Sequence, residues 1–466
     1  MRDYRIEITQ FEFLSILSLT IDKEINNHAC AVVTGLISDE NATYYRDKLM
    51  QDVWVQISAI DQDGQNKNIM KGIVAGFTLD CISQQKTLTL KIMSGTWLMD
   101  GRLHFRTFQN DALTYAQVME AINQGYTDSD FFETNAAINR PIGGLLLQYL
   151  ETDWAFLVRI SSQFGSYVTP SSALTGVKYY VGRNTRGSFM MPSGLPYTAS
   201  KYVGEFMRHS SSGRGSFSEW DYLEYQIQSR DILELWDQIS LDNYTGYISK
   251  IHSEYLGSEL VHSYFLRSEQ GMSCLPAFNR QQVGCSFEAI VKEVQQDTVR
   301  IDVIDDENDN QKNTIWFPYS TVYSTPNGPG WYCMPEVNDH VRLHIPSEQE
   351  SQAYVISAVH KGDSLDRQNP DHKSIKTIYD KELLMTPELI KLTNNKGMSI
   401  EIDDAQGIKI ISDKDIQIKA ATNVTISSDD ASLMMAGTDS VNLTQGGASI
   451  NLDEDIAFTG AKFRIQ

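Results

Sequence analysis

The chain has 466 residues, too many for one ordinary hydrophobic core, so several folded units are expected. Hydrophobic residues make up 41% and aromatics 10%, enough to fill packed cores and to exclude a disordered chain. With 60 acidic against 39 basic residues the formal charge is -21, which repels phosphate backbones and anionic headgroups and argues against a nucleic-acid partner.

Residues 1–10 alternate charge with apolarity and hold no hydrophobic signal core, and no apolar run reaches membrane-spanning length. Assembly in the cytoplasm is therefore expected. Five cysteines (Cys30, Cys81, Cys274, Cys285 and Cys333) are odd in number and scattered, which suits a reducing compartment better than a disulfide scaffold. From residue 4 to about 110, strand-like stretches at 4–8, 31–37, 53–60, 69–78 and 87–93 alternate with polar breaks and predict a small antiparallel barrel. Thr114 caps a predicted helix over 115–122. A second helix is predicted from 142 to about 164, where Leu145, Tyr149, Phe156 and Ile160 recur at near-helical spacing. Residues 179–268 are again strand-like, with 211–216 as their clearest loop, and 1–270 reads as one composite unit.

Within 280–360 the pattern tightens to five short strands (285–294, 298–304, 314–318, 340–345 and 353–359), which suits an OB-like barrel. Residues 361–385 read as a polar linker, with Gly362, Asp363, Asp366, Asn369 and Pro370 at its start. Beyond it, 386–466 carries apolar-polar-apolar triplets at a nearly fixed interval. Ile400 and Ile402, Ile408 and Ile410, Ile416 and Ile418, and Val424 and Ile426 flank the first four, whose starts are eight residues apart. The register loosens but continues through 433–435, 441–443, 450–452, 456–458 and 463–465. Strand alternation sends both outer residues of a triplet to one face. A single chain of such repeats has only a narrow apolar face to bury, and three chains around a shared axis would cover it and pair the strand edges. The fold class expected is mainly β with some helix, ending in a homotrimeric triple-stranded β-helix, or β-prism. A monomeric β-solenoid is the alternative.

The catalytic constellations sought are missing: His-Glu-x-x-His, Gly-x-Ser-x-Gly, a phosphate-binding glycine loop and a close Cys-x-x-Cys pair do not occur. Asp339, His340 and His344 follow Cys333 closely, yet alternating strand faces give them no reason to converge on a metal. Acidic pairs such as Asp305-Asp306 and Asp403-Asp404 carry little weight in a chain with 60 carboxylates. Neither catalytic residues, a cofactor nor a metal is expected.

Three stretches together resemble the VgrG proteins of type VI secretion and their relatives in phage tails and extracellular contractile injection systems. They are 94–100 running into Arg106-Thr107-Phe108-Gln109; 148–159; and Trp316-Phe317-Pro318-Tyr319 followed by 330–341. In the last, Trp316, Pro318, Gly330, Trp331, Pro335 and Asp339 match the OB-domain signature, with Trp331 expected to be a buried aromatic that anchors a barrel turn. Where the family usually has Gly-Asp, this chain has Asn338-Asp339, and Asn tolerates the left-handed turn required. No His follows His372, so the His-x-His iron site of some phage spikes has no counterpart.

The resemblance implies a hub over 1–270 with two barrel-like units, an OB domain and a needle-like β-prism. It also implies partners: further copies of the chain, an Hcp-like tube protein, baseplate proteins, a PAAR-like tip protein seated near Phe463, Arg464 and Ile465, effector cargo, and the envelope of a target cell. A trimeric adhesin or tail-associated glycan hydrolase displayed on a β-prism is the alternative. The repeats are expected to end without an appended enzymatic module.

Overall fold

The computed structural model describes residues 4–82, 85–211, 218–242, 244–256, 259–272, 274–308, 313–362, 364, 367–453, 455–462 and 464. They belong to two compact units, Met1–Lys361 and Gly362–Gln466.

The first unit begins with β1 (Arg5–Ile8), β2 (Ser15–Glu24), β3 (Cys30–Ile37), α1 (Asp39–Lys48), β4 (Trp54–Ile60), β5 (Asn66–Ile82) and β6 (Gln85–Met93). These strands alternate buried and outward residues, as in β3, where Ala31, Val33 and Ile37 point into the core. Neither β2 nor α1 is among the expected elements. The helix is almost wholly polar, but Ser38 caps it, Asp39 and Glu40 open it and Arg46 and Lys48 close it, all favourable to the helix dipole.

The chain continues through β7 (His104–Phe108), α2 (Tyr115–Asn123), β8 (Ser129–Glu133), β9 (Leu146–Glu151), α3 (Asp153–Ser162), β10 (Val168–Pro170) and β11 (Val177–Val181). Thr114 caps α2 as expected, with Gln117 completing a capping box. The single helix expected over 142–164 is corrected to a strand and a helix. Leu150 takes a left-handed φ of 51°, and Thr152 caps α3 through Ala155 N–H, so β9 pairs with β7 before the helix starts.

Then follow β12 (Ser188–Met190), β13 (Tyr197–Lys201), α4 (Val203–Ser211), β14 (Leu223–Ser229), β15 (Gln238–Leu241), β16 (Tyr244–Leu256) and β17 (Glu259–Arg267). Of the loop expected at 211–216, Ser211 ends α4 and 212–216 lie outside the described residues. The two barrel-like units expected of the hub do not have separate sheets. β2 pairs with β16, so one twelve-stranded sheet runs β1-β4-β5-β6-β3-β2-β16-β17-β14-β13, with β15 on β16 and β12 on β15. Two apolar cores lie along it, one inside β1–β6 and one around Ile239, Ile248, Tyr264 and Leu266. A third core is built on α2 and α3.

All five strands expected in the OB region are present: β18 (Ser286–Gln295), β19 (Thr298–Val303), β20 (Phe317–Pro318), β21 (His340–His344) and β22 (Tyr354–Val359). Their order is β20-β19-β18-β21-β22, and a parallel bridge between Tyr319 and Val355 brings the chain after the third strand back to the fifth. The result is a closed five-stranded barrel. Asn338 adopts φ 75° in the turn before β21, the left-handed position expected of it.

The second unit holds β23 (Lys373–Lys376), β24 (Glu382–Met385), β25 (Leu389–Thr393), β26 (Ser399–Asp403) and β27 (Gly407–Ile411) in one antiparallel meander, and β28 (Val441–Gln445), β29 (Ala448–Leu452) and β30 (Ile456–Thr459) in another. The stretch read as linker over 361–385 therefore contains β23 and β24. The triplets at 400–402, 408–410, 441–443, 450–452 and 456–458 lie in strands, whereas 416–418, 424–426 and 433–435 form none within the chain.

Candidate functional site

Antiparallel register sorts the side chains of the first meander into two faces. Leu383, Leu392, Ile400 and Ile410 stand opposite one another in one row, and Met385, Ile390, Ile402 and Ile408 in the next. The other face carries Lys391, Glu401 and Lys409 in line, with a 3.0 Å ion pair between Lys391 and Glu401. The hydrogen bond from Lys391 holds the Glu401 carboxyl below the ordinary carboxylate range. The second meander repeats the arrangement with Val441, Leu452 and Ile456 in one row and Leu443, Ile450 and Phe458 in the other. The row of Leu443, Ile450 and Phe458 lines an open groove of about 640 Å³.

Among the described residues these apolar rows are largely uncovered. Ile408 is 72% exposed and Ile418 70%, and Ile400, Ile402, Ile410, Ile416, Val424 and Ile426 are all exposed as well. A soluble protein rarely presents so long an apolar stripe to water. Arg464 is exposed, and Phe463 and Ile465 lie outside the described residues.

The OB signature residues serve different ends. Phe317, 2% exposed, fills the barrel core with Val299, Val341 and Val355. Trp316 lies half-buried under the Arg300 guanidinium, 4.4 Å from ring centroid to guanidinium carbon. Pro335 is buried, while Pro318 is exposed beside Phe317. Asp339 accepts the Glu336 N–H at 2.9 Å and so pins the turn that leads into β21. Gly330 has φ 156°, and a Cβ there would lie 2.5 Å from the Tyr323 carbonyl oxygen, so only glycine fits. The expectation that Trp331 anchors the barrel from inside is overturned: the ring is 57% exposed. Phe317 already fills the core, and the hydrogen bond from Trp331 N–H to the Tyr323 carbonyl (2.7 Å) holds Trp331 on an outer flap.

The motifs at 94–109 and 148–159 build a polar seam between the helical core and the OB barrel. Glu307, just past β19, accepts from His104 Nδ1 at 2.8 Å and from the Phe105 N–H at 3.2 Å, and pairs with Arg102 at 3.2 Å. Burial is the largest single influence and works against its charge, but the hydrogen bonds from His104 and the Phe105 N–H, with the nearby Arg106 guanidinium, together outweigh it and hold the carboxyl below the ordinary range. Buried Asp153 takes Arg106 at 2.5 Å, Gln148 at 2.9 Å and the Tyr126 hydroxyl at 2.7 Å. Arg159 joins Glu151 at 2.8 Å to Glu350 at 2.9 Å and donates to the Leu147 carbonyl. Burial pushes the Glu350 carboxyl up, and the pull of Arg159 does not cancel it. No periodicity singles out Glu307 or Glu350, because their partners lie about 200 residues away in the chain.

Large apolar side chains not anticipated as exposed also lie on the first unit: Met207 on α4, Trp220 just before β14 and Met190 on β12. Among the described residues no cluster of three or more His, Cys, Asp or Glu is placed to hold a metal ion, and no helix is long and apolar enough to cross a membrane.

Residues 30–177 match the family described as the phage tail baseplate hub (GPD), and residues 287–360 match the type VI secretion system/phage-baseplate injector OB domain. Among solved structures, a Francisella PdpA-VgrG complex, half-lidded, superposes with a TM-score of 0.56 at 9% identity, over 88% of each chain. The Escherichia coli c3393 protein superposes with a TM-score of 0.52 at 14% identity, over 75% of this chain and 99% of its own. It is described as a component of the type VI secretion system similar in structure to the T4 bacteriophage tail proteins gp27 and gp5. At such identities the likeness is one of fold. Among curated proteins none matches the chain.

Proposed function

We propose, from the premise that this VgrG-like chain carries a phage-baseplate hub domain ahead of an injector OB domain, that three copies form the hub and spike of a contractile injection machine. The role is structural. The observation that carries the trimer is the pair of uncovered apolar rows on β24–β27, with Ile400, Ile402, Ile408 and Ile410 at their centre. Three copies wound about one axis would bury these rows, give the triplets at 416–418 and 424–426 strand partners, and leave the Lys391–Glu401 face in water.

Such a prism satisfies its backbone hydrogen bonds internally and interlocks its chains, so a narrow rod would withstand axial load during passage through a target envelope. The hub reading follows from the paired cores on one shared sheet. Three chains would present six of them, a pseudo-sixfold ring suited to a hexameric, Hcp-like tube. The end near Arg464 is where a PAAR-like tip protein would seat, with baseplate proteins and effector cargo around the hub. The function needs no catalytic step, in line with the roles this chain's charged clusters play at the hub–OB seam.

The test is the solution mass of the full-length protein by multi-angle light scattering. The expected value is three times the chain mass of 52.6 kDa. A monomer at micromolar concentration would remove the spike reading.

A further inference from the structure

We infer that the OB barrel carries a binding cleft for neutral oligosaccharides, set between the flap formed by residues 319–334 and the turn that joins β18 to β19. The cleft measures about 940 Å³, at the upper end of the range for small-molecule sites and roomy enough for several sugar rings. Trp331, Tyr332 and Tyr323 line it, and all three are more than half exposed.

The backbone that carries these rings is tied down before any ligand arrives, and the Tyr332 ring is held through its hydroxyl. The flap is a hairpin closed by the bridge between Ser324 and Gly330, by Thr325 N–H to the Pro329 carbonyl (2.9 Å) and by Trp331 N–H to the Tyr323 carbonyl. Tyr332 donates its hydroxyl to the Gln296 carbonyl at 2.9 Å and ties the flap to the β18–β19 turn. The Tyr319 N–H makes a second tie, to the Asp297 carbonyl at 2.9 Å. Binding then costs little ordering of the loop.

The lining selects the ligand class. Aromatic faces stand beside Gln296, Asp297, Ser320 and Thr321, which offer amide, carboxylate and hydroxyl groups. A pyranose with equatorial hydroxyls has complementary chemistry: its C–H face stacks on a ring while its rim of hydroxyls meets donors and acceptors. The turn between the first two strands is also one of the places where OB barrels take oligonucleotides and oligosaccharides. A nucleic acid is disfavoured, because no Lys or Arg lines the cleft, Asp297 is its one charged residue, and the chain carries a net charge of -21. The same argument excludes anionic glycans.

The test titrates the full-length protein, in whatever assembly it forms, with chitotetraose and cellotetraose by calorimetry and saturation-transfer NMR. A heparin tetrasaccharide serves as the anionic control. The expected result is saturable binding of at least one neutral tetrasaccharide, with Kd between about 10 μM and 1 mM and none of the heparin fragment. Trp331→Ala should weaken it roughly tenfold and Trp331→Phe should retain most of it. Absence of binding by both neutral sugars at about 10 mM, or binding undiminished by Trp331→Ala, overturns the assignment. A change of solution mass in Trp331→Ala overturns it too, by marking the flap as a contact between copies. Because mass is read on the same samples, failure of the sugar site is distinguishable from failure of the trimer.

Discussion

His262 sits inside the shared sheet on β17, 2% exposed, with Nδ1 2.6 Å from the Ser253 hydroxyl and no partner on Nε2 among the described residues. Burial, assisted by the nearby Lys23 ammonium, pushes its pKa down to about 4. The unfolded chain, with an ordinary imidazole, takes up the proton first, so the contribution is fully present above about pH 6.5 and is lost as pH falls toward 4. The loss approaches on the order of 3 kcal/mol at the acid end. Calorimetric melting of the full-length protein between pH 7 and 4 should show this slope, and His262→Phe should flatten it while lowering stability at neutral pH by about 1 kcal/mol for the stranded Ser253 hydroxyl. An unchanged slope would place the acid sensitivity elsewhere. Arg159 illustrates the opposite arrangement: its charge is as buried, but Glu151 and Glu350 meet it directly, so it ties α3 to the segment before β22 without titrating in the physiological range.

At the scale of elements, the turn before β21 depends on one backbone angle. Asn338 stands at φ 75°, which an Asn adopts at small cost and a β-branched residue does not. Asn338→Gly should leave denaturant stability within about 0.5 kcal/mol of the parent, whereas Asn338→Val should cost about 1–2 kcal/mol. Equal stability of the two variants would show that strain there is not felt. That turn was expected because the family resemblance places a Gly-Asp turn there and Asn tolerates the left-handed angle that glycine would take. The five OB strands were legible because each is short and lies between turn residues, and β19 and β21 alternate cleanly, although the strand expected over 314–318 shrinks to Phe317–Pro318. The region 142–164 misled because Leu145, Tyr149 and Phe156 fit a helical period by coincidence, while the capping signal at Thr152 was the better guide. Helix α1 escaped because it has little apolar stripe, although Ser38 and its ordered charges marked both its ends. The exposure of Trp331 was not legible at all, since the sequence shows a large aromatic but not that Phe317 already occupies the core.

For the whole molecule, the decisive asymmetry lies between the two faces of β26 and β27. Ile402 and Ile408 stand directly opposite one another on the apolar face, and Lys409 points to the charged one beside Glu401. If the apolar face lines a trimer axis, Ile402→Glu with Ile408→Glu would bring six carboxylates together without counter-charges. Each buried unpaired charge costs several kcal/mol, and like charges at close range add to it. The double variant should then run as a monomer in light scattering, while the melting of the first unit, which has its own cores, stays where it was. Lys409→Ser alters the solvated face and should keep the parent mass. The contrast between the variants carries the inference, because a solenoid that folded alone would bury the apolar rows within one chain. In that case the double variant would unfold its own unit without changing the number of chains per particle, and a parent protein already monomeric would reveal it.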